Sequence, residues 1–195
     1  MSMPNEVAAS DQELARKAKG GQLSAFDELV LKYRKNVYAI AFRMTRNHSD
    51  ADDLAQETFL RAYQALDSYK PGFEFRTWLY RIAVNASINH LKRKGRRVEM
   101  SLEDNAGLDV AASTSSYNPG TGIEEKELRE KIETAIQHLP LKLRSVFLLR
   151  TFEDLTYEEI AHVLNISKGT VMSRLSRARE KLKIMLREYV EGKNE

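Results

Sequence analysis

TYEEIAHVLNISKGTVMSRLSRAREKL, residues 156–182, sets the reading of the whole chain. Thr156-Tyr157-Glu158-Glu159 has capping-box spacing, in which the Thr156 hydroxyl accepts from the Glu159 N–H and the Glu159 carboxylate reaches back. Leu155 and Ile160 stand where a hydrophobic staple puts its two apolar members. The spacing predicts a first helix burying Ile160, Ala161 and Leu164, a corner at Asn165-Ile166, and a second helix capped by Ser167. At about 100° per residue, Val171, Leu175, Ala178 and Leu182 share one narrow face of that second helix. The opposite face carries Thr170, Ser173, Ser176 and Arg177 beside Met172, with Lys168 at its start and Arg174 and Arg179 on its flanks. Such a face suits a major groove: short polar groups and one or two arginines reach base edges, and flanking cations reach phosphates. Gly169 allows close approach of a backbone. The pattern predicts a helix-turn-helix that meets DNA through Lys168, Thr170, Met172, Ser173, Arg174, Ser176, Arg177 and Arg179. A charged helical hairpin shares parts of this pattern, so the rest of the chain must decide.

With 195 residues, 42% hydrophobic and 30% charged, the chain is long enough for one medium domain or two small ones. It has no cysteine, which excludes disulfides and thiolate metal sites. The polar start, MSMPNEVAASDQELARKAK, lacks the apolar core of a secretory signal, and no apolar run reaches the roughly 18–20 residues of a membrane span. A cytoplasmic protein without membrane insertion is expected. The net charge is only +3, but its distribution is uneven. Arg76, Arg81, Lys92, Arg93, Lys94, Arg96 and Arg97 form one basic block. Lys168, Arg174, Arg177, Arg179, Lys181, Lys183 and Arg187 form a second. Each alone fits a solvated helix face; together they suggest two contacts with a polyanion.

Nearly every segment has helical periodicity, and glycine and proline gather at boundaries. Ser10 is placed to cap a short helix ending at Gly20-Gly21. Ser24 is placed to cap the next, with Phe26, Leu29, Val30, Tyr33, Val37, Ile40, Ala41 and Met44 inward. After a break at Asn47-His48, Ser49 is placed to cap DADDLAQETFLRAYQAL. A loop with Pro71-Gly72 precedes a fourth helix from about Thr77 to Lys94. Residues 98–122 are small, polar and turn-forming, and their only charges are Glu99, Glu103, Asp104 and Asp109. They read as a flexible acidic linker. The fold expected is all-α, with one helical domain over 1–97, a linker over 98–122 and a second helical domain over 123–195.

In DADDLAQETFLRAY, Leu54, Ala55, Phe59 and Ala62 form the inward stripe. Asp53, Gln56, Glu57 and Leu60 point outward, and a leucine among acids and amides suits protein docking. A solvated face is the plain alternative. A hard-cation site at Asp50, Asp53 and Glu57 has no further ligand at matching spacing. In FRTWLYRIAVNASINHLKRKGRR, Trp78, Leu79, Ile82, Ala83, Ala86 and Leu91 supply a core, and Arg76, Arg81, Asn85, Asn89 and the basic tail face nucleic acid. The preceding SYKPGFEF combines Lys70 with Tyr69, Phe73 and Phe75, rings that suit either stacking on an unpaired base or core filling. His48, His90, His138 and His162 are scattered, and no phosphate loop or metal cluster accompanies them. No catalytic residue, cofactor or metal is expected.

These segments together resemble a group 4, or extracytoplasmic-function, bacterial RNA polymerase sigma factor. AFDELVLKYRKNVYAIAFRM is similar to region 2.1 and DADDLAQETFLRAY to region 2.2. YKPGFEFRTWLYRIAVNASINHLKRKGRR is similar to regions 2.3–2.4, and LPLKLRSVFLLRTFEDLTYEEIAHVLNISKGTVMSRLSRAREKL to region 4. A luminescence-type response regulator shares the C-terminal half but would carry an α/β phosphoacceptor domain. The resemblance implies that Asp53, Gln56, Glu57 and Leu60 dock on the clamp helices of the largest polymerase subunit, while region 4 meets the flap of the second-largest. It implies that Lys70, Phe73, Phe75, Arg76, Trp78, Arg81, Asn85, Asn89, Lys92, Arg93, Arg96 and Arg97 melt and hold the −10 promoter element. The helix after Ser167 would read the −35 element as duplex, the acidic linker would thread the polymerase cleft, and an anti-sigma factor would be a further partner. A stand-alone DNA-binding regulator, or an enzyme acting on nucleic acid, are the competing classes. The first would bind duplex specifically without polymerase; the second lacks any catalytic constellation.

Overall fold

The computed structural model describes residues 10–70, 72, 74–104 and 123–191, with side chains over 10–70, 72, 74–95 and 127–187. Among them every regular element is helical. The helices are α1 (Asp11–Lys19), α2 (Leu23–Thr45), α3 (His48–Gln64), α4 (Phe75–Asp104), α5 (Ile123–His138), α6 (Leu141–Thr151), α7 (Tyr157–Leu164) and α8 (Lys168–Glu191), with a 3-10 turn at Leu66–Ser68. Phe73 and the turn-rich stretch from residue 105 to 122 lie outside the described residues.

Local chemistry explains most boundaries. Ser10 accepts from the Glu13 N–H and starts α1, and Gly21, at φ +91°, turns the chain after it. α2 begins one residue before Ser24, and the side chain at its cap position, Gln22, makes no capping bond to the helix backbone, donating instead to Ser24 Oγ at 3.4 Å. It ends on Arg46 in the left-handed region, φ 55°, an unusual place for a non-glycine residue. The Arg46 guanidinium lies over the Phe42 ring and pairs with Glu133 at 2.5 Å, and these contacts hold it there. With so short a loop, Asn47 rather than Ser49 caps α3, its Oδ1 accepting from the Asp50 N–H at 2.9 Å. α4 runs past the expected end near Lys94 to Asp104. Gly95 weakens a helix by about 1 kcal/mol without breaking it, and no proline follows until Pro119.

α2, α3 and α4 form a bundle with α1 across one side. α5–α8 form a second helical unit, and the two share a core. Leu29, Val37, Phe75, Leu79, Tyr80 and Ala83 from the first cluster with Val146, Leu149, Leu155, Ile160, Val163 and Val171 from the second. Polar groups cross the same boundary. Gln137 Nε2 donates to the Arg43 carbonyl at 2.8 Å, and the buried Arg144 donates to the Met44 carbonyl at 2.9 Å. These two bonds satisfy carbonyls in the last turn of α2, which otherwise lack partners. Arg144 also donates to Gln137 Oε1 at 2.7 Å and to the Leu139 carbonyl at 3.2 Å, so its charge is buried among acceptors.

Candidate nucleic-acid interface

The C-terminal element folds as its capping pattern predicts. The Glu159 N–H donates to Thr156 Oγ1 at 3.2 Å, and Glu159 Oε2 accepts from the Thr156 N–H at 2.8 Å. Asn165, left-handed at φ 52°, ends α7. Ser167 Oγ accepts from the Thr170 N–H at 3.1 Å and starts α8. α7 buries Ile160 and Val163, whereas Ala161 and Leu164 are only half-buried; the shared core beneath α7 rotates its inward face toward Val163. Val171, Leu175, Ala178 and Leu182 form the buried seam of α8.

The other face of α8 is open. Met172 is 52% exposed, and Ser173, Ser176, Arg177 and Arg179 are exposed around it. Thr170 and Arg174 are half-buried at its edges. Ser173 Oγ donates to the Thr170 carbonyl at 3.1 Å, and Lys168 pairs with Glu158, holding that carboxyl below its usual range. A Cβ on Gly169 would meet only Ser167 Oγ, at 4.0 Å, so packing within the chain does not require a glycine there.

A second, different site lies where the loop before α4 meets that helix. A cavity of about 550 Å³ is lined by Tyr69, Lys70, Trp78, Arg81, Ile82 and Asn85, among others. Its floor is aromatic: the Tyr69 and Phe75 rings each lie 5.5 Å from Trp78. Phe75 corrects the sequence reading. It is buried against Tyr33, Tyr69 and Trp78, so it braces the floor and offers no face to a base. α1 pins this loop, since Lys19 Nζ donates to the Tyr69 carbonyl at 2.6 Å and to the Asp67 carbonyl at 3.2 Å. The sequence reading gave α1 no such role. Asn89, Lys92 and Arg93 are exposed farther along α4. The side chains of Arg96 and Arg97 lie outside the described residues. Lys94 and His90 reach Asp50 at 2.9 and 3.3 Å. Burial works against the Asp50 charge, but the Lys94 ammonium first, and the neighbouring His90 ring second, outweigh it and hold the carboxyl below its usual value.

Contacts from the second unit border this cavity, and none was visible in the linear pattern. His162 of α7 lines it beside Arg81. Glu159 Oε1 accepts from Arg76 Nη2 at 3.3 Å and from Thr77 Oγ1 at 3.4 Å. Glu153, buried between α6 and α7, bonds Asn36 at 3.4 Å, Arg43 at 3.2 Å and the Tyr80 hydroxyl. Burial raises the Glu153 carboxyl above its usual range despite these partners.

On α3, Asp53, Gln56 and Leu60 are exposed, with Leu60 at 59%. Glu57 is half-buried and pairs with Arg61 at 2.6 Å. The inward stripe is Ala51, Leu54, Thr58 and Ala62, with Ala55 and Phe59 at its margins. Thr58 was not expected there; its hydroxyl donates to the Leu54 carbonyl at 2.7 Å and so loses nothing by burial. No group of metal-ligating side chains occurs among the described residues.

The family profile Sigma-70 region 2 matches residues 29–97, and Sigma-70, region 4 matches residues 129–182. The chain belongs to the extracytoplasmic-function group of sigma-70-type sigma factors. It is 41% identical over 181 residues to the RNA polymerase sigma-H factor of Pseudomonas aeruginosa, covering 87% of this chain and 90% of that protein. It is 38% identical over 175 residues to the ECF RNA polymerase sigma-E factor of Escherichia coli K12, covering 88% and 91%. Two solved structures share the fold. One is CnrH in complex with the cytosolic domain of CnrY, with TM-score 0.66 and 27% identity over 91% of this chain and 97% of that one. The other is the sigma factor RpoE with the anti-sigma factor NepR from Bartonella quintana, with TM-score 0.68 and 24% identity over 83% and 96%. As a sigma factor, the protein acts in promoter-specific transcription initiation with RNA polymerase. The region 2 match begins within α2, takes in α3 and ends within α4, and the region 4 match begins within α5 and ends within α8. No helix among the described residues is long and apolar enough to cross a membrane.

Proposed function

We propose that this sigma factor reads its promoter in two physical states. α8 meets the −35 element as duplex, with Met172, Ser173, Ser176 and Arg177 toward base edges and Lys168, Thr170, Arg174 and Arg179 toward phosphates. The pocket of Tyr69, Lys70, Trp78, Arg81 and Asn85 takes an unpaired base of the −10 element. Arg76, Asn89, Lys92, Arg93, Arg96 and Arg97 hold its backbone. The observation that carries this reading is the contrast in build. One face is exposed and lined by hydroxyls and arginines, which fits a groove; the other is concave with an aromatic floor, which fits a stacked base.

Asp53, Gln56, Glu57 and Leu60 would dock on the clamp helices of core polymerase, and region 4 on the flap of the second-largest subunit. The polymerase then performs the chemistry, and this chain contributes selection and strand opening. A protein inhibitor of the anti-sigma kind belongs to the same reading, since the sigma factor RpoE of Bartonella quintana, which shares the fold, is solved in complex with the anti-sigma factor NepR. The test is reconstitution. Purified chain plus core polymerase should initiate at defined start sites, and Asp53→Lys should abolish co-purification with core while leaving the helical circular-dichroism signal intact. Initiation that does not depend on the added chain would overturn the reading.

A further inference from the structure

The base pocket depends on where one loop residue, Tyr69, stands. Its ring lies 5.5 Å from Trp78, and it lines both the pocket and a second cavity of about 450 Å³ beside α1. The carbonyls of Asp67 and Tyr69, on either side of Ser68, accept from Lys19 Nζ at 3.2 and 2.6 Å, and the same ammonium lies 5.8 Å from the centroid of the Tyr69 ring. α1 aims this lysine. Lys19 is the last residue of the helix, and the chain behind it closes in a Schellman pattern: the Gln22 N–H donates to the Lys17 carbonyl at 3.1 Å and the Gly21 N–H to the Ala18 carbonyl at 3.0 Å, with Gly21 at φ +91°. Leu14, Ala15 and Ala18 bury the helix in the same cluster as Leu66 and Tyr69. At its other end Asp11 accepts from the Tyr33 hydroxyl and from Lys32 Nζ at 2.5 Å, and the Tyr33 ring lies 5.9 Å from Phe75. One short helix thus holds the loop through Lys19 and the support beneath the pocket floor through Asp11.

We propose that Lys19 is a positioning residue for strand capture: it fixes the Asp67–Tyr69 backbone so that Tyr69 stands against Trp78 before any base arrives. The proposal rests on the −10 reading above. An ammonium shared between two backbone carbonyls makes charge-assisted bonds, which are stronger than those between neutral groups. Ordering the loop in the chain itself removes that entropy cost from base binding. Lys19 acts through Tyr69 and touches no base, so affinity depends on it only when a base enters the pocket. The rival role for an exposed lysine beside a strand site is a phosphate contact, as Arg16 on the wall of the second cavity would also make. The two roles differ in what they respond to, because a phosphate contact is blind to the base.

Trp78 is the only tryptophan in the chain, so its fluorescence in the full-length protein reports the pocket floor directly. Lys19→Met keeps the apolar stem and removes the donors. Its Trp78 emission should move to longer wavelength and its quenching by acrylamide should rise. Lys17→Met takes the same charge from the same helix, where Lys17 pairs with Glu13 at 3.2 Å, and should leave both readings unchanged. Lys19→Arg retains donors for both carbonyls and should restore most of the wild-type signal. Binding is then measured with the chain on core polymerase, against core alone, using a fluorescein-labelled random-sequence single strand and an abasic strand of the same length. The wild type should prefer the strand with bases. Lys19→Met should weaken that strand by about tenfold, the scale of one charge-assisted bond, and leave the abasic strand and the salt slope level. Equal loss on both strands, with the slope of log affinity against log salt lowered by about 1, would make Lys19 a phosphate contact and overturn the proposal. Wild-type Trp78 fluorescence in Lys19→Met would overturn it too, as would loss of the helical circular-dichroism signal, which would make the lysine a structural tie. If the wild type binds both strands alike, the pocket takes no base and the −10 reading fails with the proposal. If it prefers bases and Lys19→Met keeps that preference, the proposal alone fails.

Discussion

The two faces of this sigma factor proposed to meet nucleic acid differ in what borders them. The α8 face, with Met172, Ser173, Ser176 and Arg177, is open to solvent. The pocket beside α4 is bordered by α7, through Glu159 and His162. Both faces belong to cations and small polar groups, and the difference comes from the carboxylates of region 4. Glu158 pairs within the helix-turn-helix, whereas Glu153 and Glu159 reach across to region 2. If α8 reads duplex and the α4 pocket takes a strand, as proposed, the first face is open as it stands and the second is bordered by region 4.

The largest expected effect attacks the shared core that makes this contrast. Leu155 is fully buried beneath α7, and Leu155→Ala should destabilise the fold by about 2–5 kcal/mol through lost burial and the cavity left behind. Because one cluster joins both regions, urea unfolding of the wild type should be a single transition, and the variant should show the same one at lower midpoint. Two separated transitions in the wild type would dissolve the comparison.

Next in size is base readout. Arg177→Ala or Ser173→Ala should relax −35 preference by about 1–3 kcal/mol at one or two positions, measured as relative affinities across duplex variants. Uniform weakening across all sequences would make these phosphate contacts instead. On the covered side, Arg93→Ala should lower the slope of log affinity against log salt by about 1 for single-stranded DNA and leave the −35 preference unchanged.

The smallest effect is in pH. Burial first, and Arg81 second, hold the His162 imidazole below its ordinary value of 6.5 in the folded chain. A group with a depressed cationic pKa contributes its stability in full above 6.5, and that contribution is lost as pH falls from 6.5 through the lowered value. Mild acidification should therefore lower the urea midpoint, and His162→Gln should remove this part of the change. An unchanged pH profile in that variant would detach His162 from it.

What the sequence made legible was local. The Thr156–Glu159 box, the Ser167 cap and the Val171–Leu182 seam depend on spacing within one or two turns, and all three are present. The all-helical class followed from the same periodicity. The contacts between regions were not legible, because they pair residues far apart in the chain: Glu153 with Arg43, Arg144 with the Met44 carbonyl, Glu159 with Arg76. Tyr80 and Val84 were unassigned because their burial depends on region 4 lying over α4. Phe75 was misplaced for a related reason. An aromatic residue in a loop before a basic helix suits a stacking platform, and only the packing of Tyr33 and Tyr69 around it shows that it is the support beneath one.

The division of labour between the two faces is tested most directly by transcription from a pool of randomised promoters with reconstituted polymerase. The wild-type chain should select two separated sequence blocks. Arg177→Ala should change the upstream block alone, and Trp78→Ala, at the pocket floor, the downstream block alone. A single selected block, or both blocks changing with either substitution, would contradict a chain that reads duplex with α8 and a melted strand beside α4.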